Sequence, residues 1–245
     1  MNPPLTNLPA QAPAGPTCLL HAPAPPCDPA EVEPLLAFLR RDEPVAAPLA
    51  FPRGTLLPDG RLDLCKQSIG PGGADAVCEA LADNRQVRHL LLGTNHIGNQ
   101  GARAVARLVQ RSATLETVYL GCNHIDAEGL APLLDAVSAS PSVHALWIKR
   151  NPIGERGAAL VAAALRRAPR LRTLDLVQTG LGERGAARVL AALGTGVAGS
   201  GEDGIGPLRQ LLLSRGGAGQ ARSLVFGDRL PAVAAAHEEI GKSLG

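Results

Sequence analysis

The chain has 245 residues, of which 45% are hydrophobic and 2% aromatic, and its formal charge is +2. That suffices for a core of Leu, Val, Ile and Ala in one or two domains, while the charge excludes a strong draw to nucleic acid or an acidic membrane surface, and no apolar run has the length of a membrane span. The five cysteines, Cys18, Cys27, Cys65, Cys78 and Cys122, are odd in number and show no C-x-x-C spacing, which reads as free thiols in a reducing compartment.

Residues 1–28 are rich in Pro and Ala and contain no Lys or Arg. They lack the basic start of a secretory signal and the Arg content of a transit peptide. A disordered, partly polyproline-like tail on a cytoplasmic protein is expected. Residues 29–60 read as a capping helix and a hairpin. Asp28 caps the helix, Pro29 suits its first turn, and Glu31 is placed to close a capping box. Val32, Leu35, Leu36 and Leu39 form its apolar stripe. Pro58-Asp59-Gly60 signals a turn, with Thr55–Leu57 pairing near Arg61–Leu64. Together these would cover the open end of a stacked array, which such an array requires.

From Arg61 one unit recurs every 28 residues. Ile69, Ile97, Ile125, Ile153 and Leu181 share one position; Leu64, Leu92, Leu120, Ile148 and Leu176 share another; Gly73, Gly101, Gly129, Gly157 and Gly185 share a third. A fixed period of this size marks stacked repeats. In each unit two alternating apolar residues, such as Leu90 and Leu92, make one face of a short strand. Asn95, Asn123 and Asn151 follow at the turn, where an amide side chain can serve backbone groups left unpaired, including those of the next repeat. They form an expected structural ladder. The glycine stands where a Cβ is expected to collide with neighbouring backbone. A helix then carries Ala102, Val105, Ala106 and Val109, or Leu130, Leu133, Leu134 and Val137, at helical spacing. The first unit has Gln67 and the fifth Thr179 at the Asn position.

The pattern L-x-L-x-x-N-x-I-G-x-x-G-A resembles the ribonuclease-inhibitor type of leucine-rich repeat. The resemblance implies an α/β leucine-rich-repeat solenoid, a horseshoe with a parallel concave β-sheet and convex helices, and a binding surface more than a catalytic one. Repeats are expected over 61–219, five regular and one degenerate, with Gly216 and Ala218 at the decayed positions. Leu208, Leu211 and Leu213 trail Leu171, Leu174 and Leu176 by 37 residues. A Gly-rich insertion at 194–206 accounts for the excess. Residues 220–245 would close the far end with a strand near Ser223–Phe226 and a helix over 231–243.

The residues between the two buried strand positions face the concave side. They are Asp63, Leu91, Tyr119, Trp147, Asp175 and Leu212, and the only Tyr and only Trp of the chain are neighbours at the centre. Gly93, Gly121 and Cys122 beside Tyr119 would leave room for an incoming group. Trp, Tyr and Arg are enriched at binding hot spots. Leu91, Tyr119 and Trp147 would thus form an apolar centre, with Lys149, Arg150, Asp175 and Asp63 as a charged rim for a partner protein. Two other readings stay open: the aromatics shield each other by cross-strand packing, or a chain terminus folds onto them.

His96 and His124 share a repeat position, but a metal site needs three or four ligands, so no metal or other cofactor is expected. Arg103, Arg107 and Arg111, and Arg166, Arg167, Arg170 and Arg172, read as solvated helix and loop faces. No P-loop, G-x-S-x-G or H-E-x-x-H occurs, so no enzyme is expected. The repeat is also similar to those of Ran GTPase-activating proteins, which carry an acidic tail, and of GALA-class bacterial effectors, which carry an F-box; neither feature is seen here. The resulting expectation is a monomeric, non-enzymatic scaffold that binds a protein and not nucleic acid. Its rivals are a GTPase regulator supplying Arg150 and an effector-type adaptor.

Overall fold

The computed structural model describes residues 25–194, 208, 210–214 and 221–225. Residues 1–24 of the expected tail at 1–28, nearly all of the Gly-rich insertion, Gly216, Ala218 and the helix over 231–243 lie outside the described residues.

The first helix, α1 (Pro29–Leu39), is capped by Asp28, whose carboxylate accepts from Ala30 N. Glu31 does not close the capping box; its carboxylate accepts from Arg53 at 2.8 Å instead. Strand β1 (Leu49–Ala50), absent from the sequence expectation, pairs antiparallel with β2 (Thr55–Leu56), which pairs antiparallel with β3 (Arg61–Asp63). Gly60 closes that turn at φ +80, a conformation open to glycine at no steric cost. The repeats then alternate: α2 (Gly70–Ala80), β4 (His89–Leu91), α3 (Gly98–Arg111), β5 (Thr117–Tyr119), α4 (Ala127–Ala139), β6 (Ala145–Trp147), α5 (Gly154–Leu165), β7 (Thr173–Leu176) and α6 (Gly182–Gly194). Strands β8 (Gln210–Ser214) and β9 (Ala221–Val225) complete one nine-stranded sheet in sequence order. Strands β3 to β8 are parallel and β9 returns antiparallel. Each helix from α1 to α6 packs against the next in the chain.

Periodicity places the core. Leu62, Leu90, Val118, Leu146, Leu174 and Leu211, and with them Leu64, Leu92, Leu120 and Ile148, are fully buried behind the sheet. The helices meet them with Val77, Val105, Leu133, Val161 and Val189. A strand of three residues and a helix of three turns bury one face each, so neither is stable until its neighbour is in place.

The Asn ladder is observed with its direction reversed from expectation. Asn95, Asn123 and Asn151 have no solvent exposure. Each amide NH2 donates to a carbonyl in its own turn and to one in the preceding repeat: Asn123 Nδ2 reaches Leu120 O at 3.0 Å and Leu92 O at 2.8 Å. Each Oδ1 accepts from the preceding turn, as Asn151 does from Asn123 N and Ile125 N, both at 3.0 Å. Asn95 does the same for Gln67 N and Ile69 N. Gln67 has no repeat before it and donates locally to Cys65 O; Thr179 likewise donates to Leu176 O.

Three of the five glycines in the column stand against an isoleucine side chain, while Gly129 meets neighbouring backbone as expected, with Asn99 Cα 2.8 Å from its added methyl, and Gly185 meets Ala158 Cβ at 2.9 Å. A methyl on Gly157 would stand 2.6 Å from Ile153 Cβ, and Gly73 and Gly101 meet Ile69 and Ile97 in the same way. Gly129 differs: its added methyl would strike Asn99, which is fixed there by Asp126 through reciprocal bonds of 2.8 and 3.0 Å.

Two substitutions test this account. Asn123→Ala leaves Asn95 N unpaired inside the core and takes one of two amide donors from Leu92 O and from Leu120 O, which keep Asn95 and Asn151; it should cost about 1–3 kcal/mol, as an unpaired buried donor does. Gln67→Ala at the first repeat should cost under about 1 kcal/mol, as the loss of one local bond does. Chemical denaturation of the two variants beside wild type measures the contrast, and equal losses would remove the ladder's special role.

Candidate functional site

The concave column forms in register. Asp63 pairs with Leu91, Leu91 with Tyr119, Tyr119 with Trp147, Trp147 with Asp175 and Asp175 with Leu212. Cα atoms in the column therefore step by about 4.8 Å from strand to strand. Leu91, Tyr119, Trp147 and Leu212 remain partly exposed. The rings of Tyr119 and Trp147 meet edge to face with centroids 5.7 Å apart, within the favoured range for aromatic pairs. Lys149 Nζ lies 5.4 Å from the Tyr119 centroid, a cation–π placement.

The space beside Tyr119 is not vacant. Its ring lies down on Gly93 and Gly121: a methyl at Gly93 would fall on Tyr119 Cε1, and one at Gly121 would stand 2.9 Å from the hydroxyl oxygen. The two glycines thus make a bed for Tyr119 rather than room for a ligand beside it. Cys122 is buried as well. Burial pushes the Tyr119 phenol up to about 12 and the neighbouring Cys65 thiol up to about 11, so both are neutral at pH 7. The Trp147 indole Nε1 is shielded from solvent and finds no acceptor among the described residues. A buried donor in that state costs about 1–3 kcal/mol.

The expected rim is only partly a rim. Lys149 and Arg150 are accessible, and Arg150 Nε donates to Gln178 Oε1 at 2.7 Å. Arg150 occupies a left-handed turn position, φ 56, shared with Lys66, Thr94, Cys122 and Gln178, so its backbone geometry belongs to the repeat. Asp175, in contrast, is 6% exposed. Its carboxylate folds onto its own turn and accepts from Val177 N at 2.9 Å, as Asp63 does from Cys65 N at 2.9 Å. Desolvation raises the Asp175 pKa despite that bond and the nearby Lys149 and Arg150.

His96 and His124 stack with centroids 5.3 Å apart, Nδ1 of the first 3.2 Å from Nε2 of the second. No cluster of three metal-ligating residues occurs among the described residues. On the convex side Arg107 and Arg111 pair with Asp75 and Glu79 of the preceding helix, and Arg167 with Asp135. Exposed pairs of this kind contribute about 0–1 kcal/mol.

One feature escaped the sequence reading. Arg88, Glu116 and His144 also share a repeat position, at the strand starts. Glu116 accepts from Arg88 and lies 3.4 Å from His144 Nε2. The Arg88 bond is the main reason the carboxyl is held below its usual range. With Arg85, Thr114 and Ser142 they line an open hollow of about 460 Å³. The 28-residue step was the signal that could have found it.

Asp175 yields a pH prediction. Its folded pKa is raised, so its contribution to stability is full below the unfolded value near 3.9 and is lost as pH rises through the folded value. Asp175→Asn keeps an acceptor for Val177 N and removes the desolvated charge. It should be more stable than wild type at pH 7, with the difference vanishing below about pH 4. Denaturant midpoints across pH measure this; a less stable variant at pH 7 would mean that Lys149 and Arg150 outweigh the burial.

Comparison with known proteins agrees with this geometry. The leucine rich repeat family matches residues 83–106 and 111–134. No curated protein sequence matches the chain. Among solved structures, the tropomodulin C-terminal domain of Caenorhabditis elegans is similar with a TM-score of 0.53 and 17% identity, over 66% of this chain and 91% of that one. The leiomodin-1 actin-binding site 2 is similar with a TM-score of 0.54 and 17% identity, over 68% of this chain and 89% of that one. At such identity the likeness speaks for the fold. Repeat spacing, ladder, sheet and likeness agree: the chain is built of leucine-rich repeats and folds as an α/β leucine-rich-repeat solenoid.

Proposed function

We propose that the protein is a non-enzymatic scaffold that docks a partner protein across its concave sheet, on Leu91, Tyr119 and Trp147. The observation that carries this reading is the Tyr119–Trp147 pair, edge to face at the centre of an otherwise aliphatic and polar column and still partly exposed. A large aromatic surface that the fold does not bury is of the kind that dominates binding energy. Lys149 and Arg150 beside it supply donors at the margin. Asp63 and Asp175 act by holding their own turns, on either side of the aromatic centre.

The 28-residue unit with a full helix in every repeat supports the ribonuclease-inhibitor type of leucine-rich repeat. The free thiols of Cys27, Cys65, Cys78 and Cys122 support a cytoplasmic placement, and we take the protein to act as a monomer. One structure of similar fold is described as an actin-binding site, which makes actin the first defined partner to try.

The test is affinity capture from native lysate together with co-sedimentation on actin filaments, for wild type and Tyr119→Ala/Trp147→Ala matched in circular dichroism and melting temperature. Loss of two hot-spot aromatics should weaken the partner by about 100-fold or more. Gly93→Ala is the subtler probe: it leaves the core untouched and lifts Tyr119 off its bed, and should weaken the same partner about tenfold, as the loss of one contact of about 1.4 kcal/mol would. A partner held equally by all three chains would move the site off the concave face.

A further inference from the structure

We infer that the partner segment docked on the concave sheet presents a carboxylate, from Asp or Glu, to Lys149 and Arg150 while an apolar side chain of the same segment rests on Leu91 and Tyr119. The inference rests on the docking reading and adds to it the chemistry of the partner.

Charge is the first ground. Lys149 and Arg150 stand side by side where β6 ends, and both are accessible. Neither belongs to an ion pair among the described residues, and Lys66 on the same strand-end edge has none either. Elsewhere the fold supplies an acid to many of its arginines: Arg53 has Glu31, Arg88 has Glu116, Arg107 has Asp75 and Arg167 has Asp135. The two acids of the central column do not serve this edge. Asp63 and Asp175 each turn a carboxylate oxygen onto their own turn, at Cys65 N and Val177 N. The cations beside the aromatic pair are thus left for a counter-charge from outside the described chain.

Hydrogen bonding is the second. Arg150 spends Nε on Gln178, and its two Nη groups meet no acceptor among the described residues. Lys149 Nζ has only the Tyr119 ring, 5.4 Å away at the centroid. The Tyr119 hydroxyl is neutral at pH 7 and can donate as well. A cluster of donors is best met by a carboxylate, because a charge-assisted hydrogen bond is about twice as strong as a neutral one.

Geometry is the third. Leu91, Tyr119 and Trp147 are in register across β4, β5 and β6, at about 4.8 Å per step, and Lys149 lies two residues along the strand from Trp147, about 7 Å. From Leu91 to Lys149 is therefore about 12 Å, the span of two side chains four apart on an extended segment. Tyr119 is fixed between them, lying on Gly93 and Gly121 with its face to Lys149. A cation already held against an aromatic face loses less freedom when a carboxylate arrives.

Trp147 is the only Trp of the chain, so its fluorescence reads the site without a label. The probes are two end-blocked peptides titrated into the full chain: Ser-Ser-Leu-Ser-Ser-Ser-Glu-Ser-Ser, and the same with Gln in place of Glu. At about 0.05 M salt the Glu peptide should bind about tenfold more tightly than the Gln peptide. At about 1 M salt, where the Debye length is about 3 Å, the two should come within about twofold. Lys149→Gln/Arg150→Gln should abolish the advantage. Arg103→Gln/Arg156→Gln, which removes the same charge from α3 and α5, should keep it. Equal affinity for the two peptides, or no response of Trp147 to either at millimolar concentration, overturns the inference. An advantage that survives in Lys149→Gln/Arg150→Gln overturns it too. If capture depends on Tyr119 and Trp147 but the partner binds Lys149→Gln/Arg150→Gln as well as wild type, the carboxylate fails and the docking reading stands. If the Glu peptide keeps its advantage and no captured protein depends on the aromatics, the docking reading fails and the acid-binding site stands.

Discussion

Everything in this fold depends on what happens to the backbone where each strand ends. The chain turns there through two or three left-handed residues in each repeat, at Thr94, His96 and Gly98, then Cys122 and His124, and these turns leave amides and carbonyls that no regular ladder serves. Buried groups of this kind must be paired. The Asn side chain does this for two repeats at once, donating to Leu92 O and Leu120 O from Asn123 while accepting from Asn95 N. The bond between repeats is therefore made where the backbone is least regular. That sets the register of the strands beyond it and brings residues 28 apart to the same height.

Register is what turns a one-dimensional repeat into a surface. Once Leu90, Val118 and Leu146 are locked behind the sheet, the residue after each must face forward, and Leu91, Tyr119 and Trp147 become neighbours with no further instruction. The two glycines after Leu92 and Leu120 then decide the pose of the ring. Tyr119 lies flat on Gly93 and Gly121 because nothing larger than hydrogen fits beneath it, and in lying flat it turns its edge relation to Trp147 and its face to Lys149. These glycines have no role in the repeat pattern and act only through the site.

The parts that could be read from the sequence are those set by period. The Leu, Ile, Asn and Gly columns, the strand and helix of each unit, the helix after Asp28 and the central column all follow from spacing and residue type, because a repeat's contacts are with its like. What could not be read depends on side-chain direction between unlike elements. Glu31 bonds Arg53 rather than its own helix, the Asn amides face the preceding repeat, Gly73, Gly101 and Gly157 yield to Ile Cβ atoms, and Asp175 folds onto its own turn instead of standing at a rim. In each case the sequence names the right residue and the wrong partner. The Arg88, Glu116 and His144 row shows the converse, a periodic signal hidden because its members differ in type.

The two unfavourable features of the described chain that lie on the concave face stand next to each other. The buried Nε1 of Trp147 has no acceptor, and the adjacent Asp175 carboxylate is desolvated. At the strand ends behind them the buried Asn95, Asn123 and Asn151 side chains are bonded. Selection for stability alone would favour an aliphatic pair at these two positions, as the protein has at Leu91 and Leu212. Strain of this sort persists where the surrounding structure can carry it and where the groups do something else. A solenoid carries it readily: its stability is spread over interfaces between repeats, and the ladder that joins them runs along the strand ends, one side chain away from the column. The fold can thus keep a costly, polar-edged aromatic pair on its concave face without loosening the stack that presents it.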